Sequence, residues 1–94
     1  MAEKAAKAVF EIGKSYFIRC LTYHYTGKLI AVTPTELVLT EAAWVADSGR
    51  FANAMKDGTL SEVEPYPDGC RVIVNRQNIV DAAEWKHPLP RSQK

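Results

Sequence analysis

Residues 70–82, CRVIVNRQNIVDA, hold two runs of strand-forming residues with almost nothing between them. Val, Ile and alternating polar positions mark Cys70–Asn75 and Asn78–Ala82 as strands. The joint is Arg76-Gln77. Tight hairpin loops favour Gly, Asn or Asp, which tolerate positive φ. A cation and an amide at so short a corner point to a small, sharply bent β structure with little room between strands.

The rest of the chain reads in the same way. SYFIRCLTYHYT (15–26) and KLIAV (28–32) are rich in aromatic and β-branched residues, with Gly27 between them. A glycine within strand-like sequence marks a bend, a bulge or a close backbone approach. Thr33-Pro34-Thr35 makes a turn, and ELVLTEAAWV (36–45) is the next strand, with Leu37 and Leu39 on one face. Residues 48–58 form a helical insertion, with Ser48 as its cap, Phe51 and Met55 at i, i+4, and Gly58 as its stop. Pro67-Asp68-Gly69 is a turn. Before the sheet, Ala2–Ile12 reads as a helix with Ala5, Val9 and Ile12 on one stripe and Gly13 ending it. After the sheet, KHPLPRSQK (86–94) is an extended or disordered tail.

The expected architecture is therefore mainly β and a single domain over residues 1–94. An N-terminal helix (1–13) precedes a five-stranded, strongly bent small barrel of the SH3 type (15–85), which carries the 48–58 insertion.

Two stretches make this pattern resemble the Sm/LSm family, including its bacterial Hfq branch. YFIRCLTYHYTGKLIAVTPTELVLTEA (16–42) is similar to the first Sm motif, with Gly27, Leu29 and Leu37-Val38-Leu39 in the matching places. VIVNRQNIVDA (72–82) resembles the second motif, in which an apolar strand ends at a short polar corner before the last strand. At that corner Asn75-Arg76 stands where the family has Arg-Gly. The resemblance implies a homo-oligomeric ring, in which strand 70–75 of one subunit pairs with strand 78–85 of the next. It also implies single-stranded RNA held at the pore by Arg76, Gln77 and Asn78, with Asn75 beside them.

Composition limits the alternatives. The formal net charge is +1, so any nucleic-acid site is local rather than a property of the whole surface. Lys4 and Lys7 on the first helix, with Lys14 after it, form a possible basic rim; the competing reading is a solvated face, since Glu3 and Glu11 lie among them. Tyr23 and Tyr25 fall on one strand face and His24 on the other. The two tyrosines either stack on bases or pack half-buried with wet hydroxyls. Trp44, Phe51 and Met55 read as packing for the insertion, and Phe51 with Met55 as a protein-docking surface in the alternative reading of a scaffold ring that binds no RNA.

Cys20 and Cys70 lie in apolar strand runs and read as buried free thiols or, less simply, as a disulfide. There is no Cys/His metal spacing, no phosphate-cradling glycine loop and no Ser/His/acid pattern, so a non-enzymatic protein without cofactor or metal is expected. No apolar run approaches the roughly 18 residues of a membrane span, and the N-terminus lacks a signal-peptide core. A cytoplasmic protein is the expectation.

Overall fold

β3 is the strand around which the others are arranged. The computed structural model describes residues 9–94. Its elements are β1 (Ser15–Cys20), β2 (His24–Val32), β3 (Glu36–Asp47), α1 (Phe51–Asp57), β4 (Glu62–Pro65), β5 (Val72–Asn75), a short 3-10 helix (Arg76–Asn78) and β6 (Ile79–Glu84). The six strands form an open antiparallel sheet in the order β4-β3-β2-β1-β6, and β5 also pairs with β3. The first half of β3, Glu36–Leu39, faces β5, while Ala43–Asp47 faces β4. Between the halves Glu41 has φ 49°. The β2–β3 register shifts at the same level, between Thr26 and Lys28. A bulge of this kind bends and twists a strand.

Gly27 makes that bend possible. It lies inside β2, opposite Tyr16, and not between two strands as expected. A Cβ there would sit 3.0 Å from the Leu39 Cβ and 3.3 Å from the Ala42 Cβ. Both of those atoms are fixed to the β3 backbone and cannot rotate away. The glycine serves close approach of two strands rather than an unusual φ.

Alternation along the bent strands builds two cores on opposite faces. Tyr16, Ile18, Leu29, Leu37, Leu39, Ala42, Val72 and Val74 fill the concave face. Phe17, Ala43, Val45, Ala54, Leu60, Val63 and Trp85 fill the other, under α1 and the C-terminal segment. Leu37 and Leu39 share the concave face, as the sequence indicates. Among the described residues no helix is long and apolar enough to cross a membrane.

Several expectations change. Among the described residues there are six strands rather than five: the boundary between the first two falls at Leu21-Thr22-Tyr23 instead of Gly27, and Glu62–Pro65 pairs with β3 as an additional strand. Of the helix expected over Ala2–Ile12, residues 1–8 lie outside the described residues, and 9–12 are bend and turn. Tertiary bonds compete there: the Glu11 N–H donates to the Tyr16 hydroxyl at 2.9 Å, and the Gly13 N–H to the Leu29 carbonyl at 2.8 Å. The stripe residues Val9 and Ile12 are exposed, and Phe10 packs instead, edge-on to Tyr16. The insertion helix is shorter than 48–58. Its N-cap position is Arg50, without a side-chain bond, because the Ser48 hydroxyl bonds the Gly49 carbonyl. Gly58, at φ 75°, ends the helix as expected.

The tail is extended and well anchored. The backbones of Lys94 and Val63 exchange two hydrogen bonds, at 2.9 and 3.1 Å, so the tail runs beside β4. The Arg91 guanidinium donates to the carbonyls of Tyr66 (2.8 Å) and Ala42 (3.2 Å) and to the Asp68 carboxylate (2.6 Å). One cation thus joins β3, the segment after β4, and the turn at Pro67-Asp68-Gly69.

Gly27→Val should destabilise the fold by about 1–3 kcal/mol, the range for overpacking a well-filled contact. Urea unfolding followed by circular dichroism checks this, and an unchanged midpoint would refute the close-approach account.

Candidate functional site: a cleft beside the 3-10 corner

The corner at Arg76-Gln77 is not a hairpin. β5 pairs with β3 and β6 pairs with β1, so the link crosses between two parts of the sheet. A 3-10 helix suffices, and no residue from 75 to 79 has positive φ. This is why neither Gly nor a primed turn is needed. The Asn75 side chain caps the helix by accepting from the Gln77 N–H at 2.9 Å. The Ile79 N–H closes it on the Arg76 carbonyl. From the other side, the Leu21 N–H donates to the Asn78 carbonyl at 3.1 Å, which fastens the β1–β2 hairpin to the corner.

These constraints form a cleft of about 380 Å³. Its lining includes Tyr23, Tyr25, Asn75 and Asn78, with Leu21 and Ile73 as apolar walls. Leu21 and Ile73 are 73% and 63% exposed, large values for aliphatic side chains, and they make the cleft mouth sticky. A second hollow of about 330 Å³ adjoins it, sharing Ile73 and Asn75 and adding Gln77, Thr35 and Glu36. Four residues expected to face nucleic acid therefore meet in one cleft, and Gln77 stands in the next hollow.

Arg76 is engaged elsewhere. Its Nη1 donates to the Thr33 carbonyl at 2.6 Å, and its backbone N–H donates to the Thr35 carbonyl at 2.9 Å. Its guanidinium lies 5.8 Å from the centre of the Phe10 ring. The Thr33 hydroxyl accepts from the Glu36 N–H at 2.9 Å, closing the turn that Arg76 holds. Arg76 acts first as the tie between the 3-10 corner and the β2–β3 turn.

The other candidates are dispersed. Lys4 and Lys7 lie outside the described residues. Lys14 is paired with Glu84 at 3.3 Å and with Glu11 at 3.4 Å, and these partners raise its pKa. Phe51 meets Phe17 edge-on, and Met55 packs against the core beneath α1. The Arg19 guanidinium covers the Phe51 ring at 4.9 Å, leaving Phe51 41% exposed as the one protruding part of that surface. Trp44 does not join them. It pairs across strands with Tyr25 and meets Tyr23 edge-on at 4.7 Å, on the face opposite Val45 and α1. Reading Trp44 as packing for the insertion overlooked the alternation of β3. Cys20 is a free thiol in the cleft wall, raised in pKa by burial, and Cys70 is also free. Ile73 and Tyr66 escaped sequence reading, since strand alternation alone does not reveal which face stays uncovered.

Arg19 and Asp81 form a two-pronged pair between β1 and β6. Nε donates to Oδ1 at 2.7 Å and Nη2 to Oδ2. The hydrogen bond from Arg19 holds the Asp81 carboxyl below its ordinary pKa. A depressed carboxyl contributes stability above its unfolded pKa of about 3.9 and loses it as pH falls through the folded value. Asp81→Asn should therefore lower stability slightly at neutral pH, the pair being exposed, and the difference from the native chain should shrink as pH falls through the lowered folded value. Thermal unfolding across pH measures this; a constant difference would exclude the linkage.

Arg76→Ala should cost about 1.5–3 kcal/mol, the range for a hydrogen bond from a charged donor. It should also speed hydrogen exchange at the Glu36 amide. Stability and exchange that stay at native values would show the tie to be idle.

No family model matches this chain, and no curated protein or solved structure matches it.

Proposed function

We propose that this chain is a divergent Sm-like small barrel that assembles with copies of itself into a ring and holds single-stranded RNA in the cleft beside the 3-10 corner. The observation that carries this reading is the meeting of Tyr23 and Tyr25 with Asn75 and Asn78 in one cleft. Tyrosines supply sequence-tolerant stacking surfaces for unpaired bases, and asparagine amides supply donors and acceptors for base edges. Cleft, aromatic rings and amides together suit a base better than a folded protein surface.

Two features support the ring. Each of β5 and β6 has one strand partner among the described residues, so each offers an open edge. Both edge strands also expose an aliphatic residue, Ile73 at 63% and Val80 at 58%. Open, apolar edges invite pairing with another chain. Joining β5 of one copy to β6 of the next covers both edges in a closed, head-to-tail arrangement. The order β4-β3-β2-β1-β6, with a 3-10 link between β5 and β6, is compatible with a bent Sm-like barrel.

Native mass spectrometry and titration of labelled oligo-U and oligo-A test the two halves separately. The native chain should appear as a closed oligomer, and Ile73→Glu with Val80→Glu should give a folded monomer. RNA should bind more weakly as salt rises. Tyr23→Ala and Asn78→Ala should each weaken it by about 1–3 kcal/mol, the range for a stacking or base-edge contact. A monomeric native chain would overturn the ring. An oligomer that binds neither RNA would overturn the RNA site and favour a scaffold ring, with the protruding Phe51 as its docking point.

A further inference from the structure

Tyr25 has a second neighbourhood. On its other side lies a groove of about 390 Å³, walled by Tyr25, Trp44, Tyr66, Pro65 and Pro67, with Glu64 in the lining. Tyr25 and Tyr66 also pack against the core that holds Ile18, Leu29 and Leu39. We propose that the groove binds a cationic proline-rich peptide in the polyproline II conformation, a partner other than the RNA of the cleft beside the 3-10 corner, with Tyr25 common to both walls.

Wall chemistry is the first argument. Three aromatic rings and two prolines make shallow, flat-sided slots. A polyproline II segment presents flat pyrrolidine rings to such slots, and it has no internal hydrogen bonds, so its carbonyls remain free to accept. The Trp44 indole N–H and the tyrosine hydroxyls are the donors that such carbonyls require.

The groove is also preformed. Tyr23 braces Trp44 edge-on at 4.7 Å. The Tyr66 backbone is held at both ends of its peptide units, its N–H on the Ala42 carbonyl at 2.8 Å and its own carbonyl by Arg91 at 2.8 Å. Burial raises the Tyr66 phenol above its ordinary pKa, with Tyr25 beside it adding to the shift. A rigid groove and a rigid ligand lose little entropy on binding.

Charge selects the ligand. Glu62 and Glu64 lie on β4, both exposed, and Asp68 just after it is already paired with Arg91. The groove lining contains Glu64 and no cation. A phosphate backbone would be repelled there, whereas a lysine or arginine beside the prolines would be attracted.

The chain itself provides a precedent. Its own segment KHPLPR, residues 86–91, is cationic and carries two prolines. It leads to Arg91 on Asp68 (2.6 Å) and to Gln93, whose Nε2 donates to the Glu64 carboxylate at 2.9 Å. Arg91 and Gln93 thereby line a neighbouring hollow that shares Glu64, Pro65, Tyr66 and Pro67 with the groove. The cation that follows Pro90 thus already meets a carboxylate and a carbonyl beside this short segment, while the aromatic groove holds no cation.

The test uses the full chain labelled with nitrogen-15, in which Trp44 and Trp85 give the two indole signals. The probe is an acetylated peptide of about ten residues, a length that spans a polyproline groove, made of proline and leucine with an arginine and a lysine at its end. The Trp44 signal should move saturably and that of Trp85, buried in the other core, should not. Replacing the prolines by alanine, or the two cations by glutamate, should weaken binding roughly tenfold or more. Glu64→Lys, on an exposed strand position that keeps the fold, should weaken the cationic probe similarly. A Trp44 signal unmoved by the peptide, or equal binding of the alanine control, would overturn the proposal. So would an oligo-U that shifts Trp44 while the peptide does not, since the groove would then belong to a nucleic-acid surface.

Discussion

Contact between Gly27 and the Leu39 and Ala42 side chains lets β2 and β3 remain paired through a sharp bend. Every later feature depends on it. Because β3 bends, its first half can take β5 as a partner and its second half β4. Because the halves diverge, one sheet can bury a core on each face. A flat β3 would leave Val72 and Val74 far from Ile18 and Leu29, and the chain is too short to build a second sheet to cover them.

The same bend explains the division of labour among polar residues. β5 and β6 end up on different parts of the sheet, so their link must cross between them. Asn75 caps that link and Arg76 ties it to the β2–β3 turn. Removing a residue committed to such a tie weakens the fold itself, which makes Arg76 a poor probe of binding. Tyr23 and Asn78 are better probes, since they border open space. Arg91 plays a parallel part at the other end of β3, where one guanidinium draws three oxygens together.

Legibility followed how local the cause was. The turn at Pro67-Asp68-Gly69 was readable because proline and glycine act within four residues. Its Cys70 N–H closes on the Pro67 carbonyl at 3.1 Å, and Gly69 has φ 80°. Gly58 as a helix stop and the shared face of Leu37 and Leu39 were readable for the same reason. The helix expected to run on to Ile12 was not, because the Tyr16 hydroxyl and the Leu29 carbonyl, the latter distant in sequence, take amides at the end of that segment. Trp44 was misgrouped with Phe51 and Met55 because nearness along the chain does not show that alternation in β3 turns it away from the helix, toward Tyr23 and Tyr25.

The sequence by itself determined that this is a strand-dominated chain with one short inserted helix, and where its main turns fall, because those outcomes rest on backbone preferences of a few adjacent residues. Tertiary structure alone decided which side chains share a cleft, that the proline-bearing tail lies along β4, and that Arg76 faces a carbonyl of the β2–β3 turn. Those outcomes depend on which strand lies beside each half of β3, and a change of one residue in that register would carry Tyr25, Trp44 and Asn75 to other faces.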